Sequence, residues 1–416
     1  MATKGRSLDL LERFQLAQAR AGSVPYITII GLMVVTPTDL VQILAEMAPN
    51  IDELMRIHPI LVAGIDDTDI RRPKWRPNND NPPFETNDPM VHPIIESGVF
   101  TVQSIAQVAE AEEAEAQGFN LANGPLWRIG VYELGNQPLS SYCVALTVHH
   151  IVTDNVSHIS VDFGKDQNRI VERLEALGHQ IGTVHSVLHT AAVVALAAAV
   201  ATGNDTFDTI GTETPKSLRS EDRNHPRIGG NYTGMVERSI PLAKLKSETI
   251  ASFTKKTNSY IHSPEAESDA RSRVGEFRLM PDRIIPDSWK ARLTERGTSE
   301  NPFRNSLMIS NLGRFQGRHI PGLEKVWFCH ASMPWGAAIN MDVVSLNLRQ
   351  PSDVSGRREA RLAVMVSWLD GAIEREVIDR FCAALVRVVN LLARAGGAPN
   401  LDRHAMRARN LQDLVN

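Results

Sequence analysis

The sequence predicts an α/β protein built as two halves. The chain has 416 residues, which is more than one ordinary hydrophobic core accommodates, so two domains are expected. Hydrophobic residues make up 43% of the chain and charged residues 22%, as is typical of a globular protein. Helical and strand-like patterns alternate along its length. We place the two subdomains at residues 1–178 and 179–416.

The first half opens with a helical pattern at residues 38–58. Thr38 is placed to cap the start of this helix, and Pro49 is expected to kink or interrupt it. Its apolar side is predicted to carry Leu40, Ile43, Leu44, Met47 and Leu54. The segment at 72–83 is rich in proline and asparagine, which argues against regular structure.

Shorter elements are expected before residue 178. They are an acidic helix at 110–117, two strands on either side of a hairpin-like connection at 135–138, and a surface helix at 165–177. The second strand is the apolar run Tyr142–Val148. It leads directly into His149 and His150, so both histidines are predicted to lie at the carboxyl end of a strand.

The second half is expected to begin near Gly182 with a long alanine-rich helix. The most apolar run within it, 191–201, is too short to span a bilayer. Polar loops are predicted at 203–230 and 255–272, and a last amphipathic helix at 374–395. The predicted strands are 307–311, 325–331, 340–349 and 361–369.

The two histidines carry the clearest indication of a chemistry. Successive side chains of a strand point to opposite faces, so one histidine can enter a cleft while its neighbour packs inside. A histidine held there is suited to remove a proton from a hydroxyl or an amine. Asp154, four residues after His150, could orient the imidazole or brace the loop. Taken alone, such a pair is more often structural than catalytic.

The pattern HHxxxD at 149–154 resembles the HHxxxDG signature of the chloramphenicol-acetyltransferase-like superfamily. That group includes condensation domains, polyketide-associated acyltransferases and alcohol acetyltransferases. Four further segments are similar to family motifs and fall in the expected order, at 55–63, 119–128, 217–232 and 308–314. The last contains Ser310-Asn311-Leu312-Gly313, which resembles the family's SNxG strand.

This resemblance implies two chloramphenicol-acetyltransferase-like subdomains of mixed sheet plus helices, with a tunnel between them. It implies an O-acyltransferase that moves an acyl group from acyl-CoA or an acyl-carrier protein to a hydroxyl of a small secondary-metabolite acceptor. His150 would be the general base, Asp154 would support the loop, and Ser310 or Asn311 would stabilise the oxyanion. The implied substrate-binding residues are His149, Asn155, Arg314 and Trp335.

Departures from the family pattern keep other readings open. Asn155 stands where the motif usually has glycine, and the plant DFGWG motif is absent, with 333–336 only a distant echo. A catalytically altered binding or scaffold member of a biosynthetic assembly is therefore an alternative, as is an amide-forming N-acyl transferase. For Ser310 and Asn311 the structural alternative is a strand-end turn with local hydrogen bonds.

Composition limits the partners. Residues 1–180 carry 13 Lys+Arg and 23 Asp+Glu, a net charge of −10, and residues 181–416 carry 31 and 25, a net charge of +6. The basic half could face an anionic thioester donor. Nucleic-acid binding is not expected, because no basic stripe has interleaved aromatic residues. We expect a cytoplasmic monomer without a membrane span and with no cofactor other than the thioester.

No metal site is expected either. The three cysteines lack CxxC spacing. His185 and His189 have i, i+4 spacing, but they form a lone pair on a helix with one flank expected to be wet. The chain also shows no GxSxG elbow, phosphate loop or dinucleotide fingerprint.

Overall fold

The computed structural model describes residues 7–8, 10–20, 26–57, 59–69, 72–76, 100–135, 141–149, 156–163, 167–201, 208–218, 233–276, 302–317, 320–332, 336–348, 359–369 and 371–396, with positions 291, 295 and 299. Four predicted site residues, His150, Asp154, Asn155 and Trp335, lie outside this part of the chain.

Besides a 3₁₀ helix at Pro59–Val62, ten α-helices and β-strands are described before residue 165. They are α1 (Leu10–Arg20), β1 (Tyr26–Val34), α2 (Pro37–Ile57), β2 (Gly64–Asp66), β3 (Lys74–Arg76), β4 (Phe100–Val102), α3 (Ile105–Ala116), β5 (Trp127–Leu134), β6 (Ser141–His149) and β7 (Val156–Val161). The two strands around the 135–138 connection are therefore confirmed as β5 and β6.

Twelve elements are described after residue 165. They are α4 (Gln167–Ile181), α5 (Val184–Val200), β8 (Thr209–Ser217), β9 (Thr233–Pro241), α6 (Leu242–Ser247), α7 (Ile250–Ile261), α8 (Pro264–Glu276), β10 (Asn305–Gln316), β11 (Leu323–His330), β12 (Ala337–Leu348), β13 (Glu359–Leu369) and α9 (Arg375–Gly396). The four predicted strands and the last helix are confirmed.

The start of α2 differs from the prediction by two residues. Thr36, rather than Thr38, caps the helix: its Oγ1 accepts from the backbone N–H of Asp39 at 3.2 Å. The Asp39 carboxylate accepts in return from the backbone N–H of Thr36 at 3.3 Å. Pro37 takes the first helical position, where a missing N–H costs nothing. The helix runs through Pro49 without interruption, and Leu54 is exposed rather than on the packed side.

Three loop predictions were wrong in part. The segment 255–272 is helical in α7 and α8, and β8 lies within 203–230. The short strand β3 lies within 72–83 and pairs with β2. In α7 the buried positions include Thr254 and Thr257, and the Thr254 hydroxyl lies 2.9 Å from that of Thr190. Buried threonines look polar in a sequence, and this hid the helical period.

The first sheet has the strand order β11-β1-β6-β5-β4 and is mixed, because β4 and β5 are parallel while the other neighbours are antiparallel. α3 packs across it beside β1 and β6. β6 is central in this sheet, so its carboxyl end is held by β1 on one side and β5 on the other.

The second sheet has the order β7-β13-β12-β10-β8-β9 and is also mixed, with β10 parallel to both β12 and β8. Helices α4, α5 and α9 form one large apolar core with one face of this sheet. α5 is buried on nearly all sides, which explains its lack of a polar face. The prediction of mixed sheets plus helices is thus confirmed.

Each large sheet contains one strand from the other side of the predicted boundary at residue 178. β7 pairs with β13 in the second sheet, and β11 pairs with β1 in the first. The two sheets also share an apolar cluster, in which Val344, Leu346, Ala363 and Met365 of the second sheet join residues of the first. We call this shared region the sheet junction. The division at 178 stays a prediction.

Among the described helices, none is long and apolar enough to cross a membrane by itself. Part of α4 together with α5 passes that test only as a pair, and this pair is bent by 99°.

Candidate active site

One face of β6 is packed against α3 through a buried polar network. Thr147 and Tyr132 each donate a hydrogen bond of 2.6 Å to the Glu112 carboxylate of α3. The Thr147 hydroxyl lies 2.9 Å from that of Thr28 on β1. Burial raises the pKa of Glu112, and the Arg128 guanidinium opposes this. Since the Glu112 carboxylate joins α3 to β5 and β6, and Thr147 also contacts β1, this network fixes the position of β6.

His149, the last residue of β6, lies on the same face as Thr147. Its ring packs edge-to-face against Phe119, with centroids 5.6 Å apart and planes at 61°. This is the interior packing expected for one histidine of the pair. Its predicted role in substrate binding is not tested by this contact and stays a prediction.

The other face of β6 is open. Leu146 is 36% exposed and Val148 is 39% exposed. In register with them on β1 are Ile29 and Ile27, which are partly buried. Directly paired residues of antiparallel strands share a face. The first sheet therefore presents an apolar, accessible surface beside the carboxyl end of β6.

The SNxG motif forms a β-bulge in β10. The register of β10 with β12 shifts between Asn311 and Gly313, and Gly313 has a φ of 76°, a conformation that favours glycine. Asn311 Oδ1 accepts from the Gly313 N–H at 2.7 Å. Asn311 thus makes a local hydrogen bond within a turn, which is the structural role that was expected as the alternative to a catalytic one. Ser310 is buried and stands in register with Asp342 of β12.

Asp342 accepts hydrogen bonds from His330, a histidine that no sequence motif marks. Its Oδ1 accepts from Nδ1 of His330 at 2.7 Å, and its Oδ2 accepts from the His330 backbone N–H at 2.7 Å. The Asp342 side chain is fully buried, while that of His330 is 18% exposed. Like His149, His330 stands at the end of an apolar run in the sequence, at 325–331. The carboxylate that binds His330, however, comes from another strand.

His330 belongs to the open face of the first sheet. Ile27 of β1 is in register with Val148 of β6 on one side and with His330 of β11 on the other. Neighbouring strands lie about 5 Å apart, so β6 and β11 are separated by about 10 Å across β1. The ring of His330 therefore lies on the same side of the sheet as Val148, opposite the face that packs His149.

Further polar groups surround His330 and Asp342 at the sheet junction. Ser367 Oγ donates to the His330 carbonyl at 3.1 Å. Asn340 Nδ2 donates to Ser332 Oγ at 3.0 Å and to the Ala331 carbonyl at 3.3 Å. The tyrosine that starts β1, Tyr26, is buried, and its pKa is raised well above the usual range by burial and by Glu113. The junction thus combines an apolar surface with a few fixed polar groups, as ligand sites commonly do.

Arg314 of β10 was predicted to bind the substrate, and both it and Arg304, which directly precedes β10, have acidic partners. Arg314 pairs with Glu175 of α4, and Arg304 pairs with Glu237 of β9 at 2.9 Å. The predicted substrate contact of Arg314 stays a prediction, and a donor phosphate would compete with these carboxylates.

His185 and His189 do not lie on a wet flank, contrary to the prediction. Burial lowers the pKa of His189 to about 3 and that of His185 to about 4, so both rings are neutral. His185 Nε2 lies 3.5 Å from Thr214 Oγ1. Within the described residues, no three histidine, cysteine or acidic side chains are grouped as metal ligands would be.

Comparison with known proteins places the architecture, although sequence comparison does not. No protein-family model and no curated protein sequence matches the chain. The structure is similar to that of a trichothecene 15-O-acetyltransferase from Fusarium sporotrichioides, with a TM-score of 0.58, 9% identity, and coverage of 93% of this chain and 94% of the other.

Two further structures agree with this likeness. A Fusarium sporotrichioides protein solved with coenzyme A and T-2 has a TM-score of 0.51, 10% identity, and coverage of 91% of this chain and 97% of that one. The first condensation domain of the CDA synthetase has a TM-score of 0.53, 11% identity, and coverage of 96% and 98%. The chain therefore has the chloramphenicol-acetyltransferase-like fold, which acetyltransferases and condensation domains share.

Proposed function

We propose that this protein is an acyltransferase that moves an acyl group from a thioester to a hydroxyl of a small-molecule acceptor. The observation that carries the proposal is the end of β6 within this fold. His149 packs against Phe119 on the α3 face, while Leu146 and Val148 occupy the open face. His150 follows His149 directly in the sequence, and by its resemblance to the second histidine of HHxxxD we propose it as the catalytic residue.

In this proposal His150 is the general base. The O–H bond of the acceptor breaks as its oxygen attacks the thioester carbonyl carbon, and the proton moves to the imidazole. The tetrahedral intermediate then loses its C–S bond, and the leaving sulphur takes the proton from the imidazolium. The products are an ester and a free thiol, and no covalent enzyme intermediate forms.

The negative charge on the carbonyl oxygen needs a fixed hydrogen-bond donor. We propose Ser310 for this role, since it stands beside Asp342 at the sheet junction and its hydroxyl has no partner among the described residues. Asn311 is the second candidate. Its Oδ1 is occupied by the Gly313 N–H, which would leave its Nδ2 group to donate.

The proposed donor is acyl-CoA or an acyl-carrier thioester. A similar structure was solved with coenzyme A, and the half of this chain after residue 180 has a net charge of +6. We further propose a small hydroxylated secondary metabolite as acceptor. Asp154 would support the loop, and Asn155 and Trp335 would line the substrate. The protein would act as a cytoplasmic monomer with no cofactor beyond the thioester.

A binding or scaffold role in a biosynthetic assembly is the second candidate, since Asn155 replaces the motif glycine. Amide formation on an amine acceptor is a variant of the first proposal. The two chemistries share the base and the donor and differ in the acceptor atom.

The test is a search for isotope-labelled products. The purified protein is incubated with a small-molecule extract and with acyl donors carrying ¹³C-labelled acyl groups, from acetyl to long-chain, on coenzyme A and on a carrier protein. Mass spectrometry should find labelled esters with wild type and none with heat-denatured protein. Binding of extract components without any labelled product, across all donors, would favour the scaffold role.

A further inference from the structure

The His330–Asp342 pair is the best-defined arrangement of acid–base groups at the sheet junction. Asp342 accepts from both the backbone N–H and Nδ1 of the same residue, each at 2.7 Å, so the imidazole is held in one orientation. A proton at Nδ1 leaves the lone pair at Nε2. No described residue is within hydrogen-bonding distance of Nε2, and the side chain keeps 18% of its surface exposed.

The direction of the ring follows from the register. His330 is on the open face of the first sheet, with Ile27 and Val148, and not on the α3 face that buries Thr28 and Thr147. Ser310 is in register with Asp342, so the SNxG strand lies next to the carboxylate that orients His330. Three groups suited to acyl transfer thus meet where the open face of the first sheet reaches the second.

We propose that His330, oriented by Asp342, is a second catalytic histidine of the acyl-transfer site. This inference rests on the proposed function. Nε2 of His330 accepts a hydrogen bond from a second polar group of the bound acceptor and holds the reacting hydroxyl in place, while the proton of that hydroxyl goes to His150 alone. Asp342 is a positioning residue, because both of its carboxylate oxygens accept from His330 and it acts through this residue.

The step uses one base. The acceptor oxygen forms its bond to the thioester carbonyl carbon while its proton moves to His150, and this proton passes to the leaving sulphur when the C–S bond breaks. His330 keeps its proton at Nδ1 throughout, because the buried Asp342 carboxylate accepts from that atom, so Nε2 stays available to accept from the acceptor.

A purely structural role is the competing account. The pair also ties β11 to β12, and Ser367 and Phe328 hold the same residue from two sides, through the backbone carbonyl at 3.1 Å and through a ring contact at 5.3 Å. A structural tie would affect stability in all variants of these contacts. A catalytic histidine would affect turnover only where the ring or its orientation changes.

The experiment compares four single variants, and the double variant of His330→Gln with Asp342→Asn, with wild type in the labelled-product assay. His330→Gln keeps a polar side chain of similar length without an imidazole, and Asp342→Asn keeps the shape but replaces one acceptor oxygen with an NH₂ group. Ser367→Ala removes the contact to the His330 carbonyl and leaves the ring contact to Asp342. His179→Ala on α4 removes an exposed histidine and is the matched control. Thermal unfolding is measured for each.

His330→Gln is expected to lower kcat about 10²-fold, because a misplaced acceptor reacts more slowly by about that factor, with a smaller change in acceptor KM and none in donor KM. Asp342→Asn should lower kcat similarly, and the double variant should be no slower than His330→Gln alone, because Asp342 acts through His330. Ser367→Ala and His179→Ala should keep wild-type kcat. Asp342 is the carboxylate bonded to the ring, and the pH–rate profile of each variant is compared with that of wild type.

The outcomes separate the two proposals. No labelled product with wild type overturns the acyl-transfer function, and this inference falls with it. Product formation with kcat unchanged in His330→Gln overturns this inference alone. Equal losses of kcat and of melting temperature in His330→Gln and Ser367→Ala also overturn it, since they indicate a structural tie. A loss of kcat confined to His330 and Asp342 variants, with wild-type melting of His330→Gln, supports it.

Discussion

The ends of β6 and β11 differ in how their histidines are held. At the end of β6, strand alternation sets the face on which His149 lies, and its ring packs against Phe119, 30 positions earlier in the chain. At the end of β11, His330 is oriented by Asp342, which comes from the next strand of the chain and belongs to the other sheet. The alternation that sets the face of His149 is visible in neighbouring residues. The contact between His330 and Asp342 exists only when the two sheets are packed together. A search for sequence motifs therefore cannot find it.

The largest expected effect tests the β6 side. His150→Ala should lower turnover by roughly 10²- to 10⁴-fold while the fold survives, because a general base is lost. The matched control is His149→Ala, which removes the ring contact to Phe119 and should act mainly on stability. Steady-state kinetics and thermal unfolding of both variants check this.

Equal turnover of His150→Ala and wild type would remove His150 as the base. Combined with a loss in His330→Gln, that result would move the base from β6 to β11 and reverse the comparison.

The next effect concerns a carboxylate on the second sheet. Burial raises the pKa of Glu213 to about 7, and Asn305 Nδ2 donates to it at 2.9 Å. The native state therefore binds more protons than the unfolded state between about pH 4.5 and 7. The free energy of unfolding should fall by up to about 3 kcal/mol as pH rises through this window.

Glu213→Gln should flatten this pH dependence, because the amide cannot ionise yet still accepts from Asn305. Urea unfolding at pH 5 and pH 8 provides the measurement for both proteins. Parallel pH curves for wild type and variant would show that Glu213 ionises without cost.

Asp154 gives a smaller effect on the β6 side. Its spacing places it on the turn after the histidine strand, where we expect it to brace the loop. Asp154→Asn should lower the free energy of unfolding by about 1–2 kcal/mol. This loss of stability should be at least as evident as any loss of turnover. If the variant melts like wild type and loses only turnover, Asp154 is a catalytic partner instead.

The smallest effect is expected at Arg314 on the second sheet. Its pairing with Glu175 is partly exposed, so the pair itself contributes only about 0–1 kcal/mol to stability. If Arg314 meets an anionic donor, Arg314→Ala should raise donor KM a few-fold and flatten its dependence on salt, because exposed charges are screened within about 10 Å at 0.1 M. Acceptor KM should not change.

Lys255→Ala removes the same charge from an exposed position on α7 and is the control. A donor KM that responds neither to salt nor to Arg314→Ala would take Arg314 out of the donor site and leave both histidines unaffected.

The sequence predicted most of what depends on local pattern. The boundaries of β6, the four late strands and α9 follow from alternation or from a helical stripe, which neighbouring residues define. α7 was missed because its buried face includes Thr254 and Thr257, whose hydroxyls are satisfied by partners on other elements. Local periodicity carries no information about such partners.

The candidate site was predictable to the same extent. Ser310, Asn311 and the histidines of the HHxxxD motif are found by their order along the chain. Asp342 could not be identified from the sequence, because a single aspartate inside an apolar strand only interrupts the hydrophobic pattern. Its role is evident only from its hydrogen bond to His330 in the folded structure. The register that pairs Ser310 with Asp342, like the bulge that follows it at Asn311–Gly313, also depends on pairing between strands.

The exchange of β7 and β11 between the sheets has a consequence for synthesis on the ribosome. β1 gains its outer neighbour only when residues 323–330 have emerged, about 300 positions later in the chain. Until then, one edge of β1 offers unpaired backbone groups and an apolar surface, a state prone to wrong pairing. The two halves therefore cannot mature one after the other as independent units. Chimeras that join the first half of this chain to the second half of a relative would have to match β7 and β11 as well as the junction sequence.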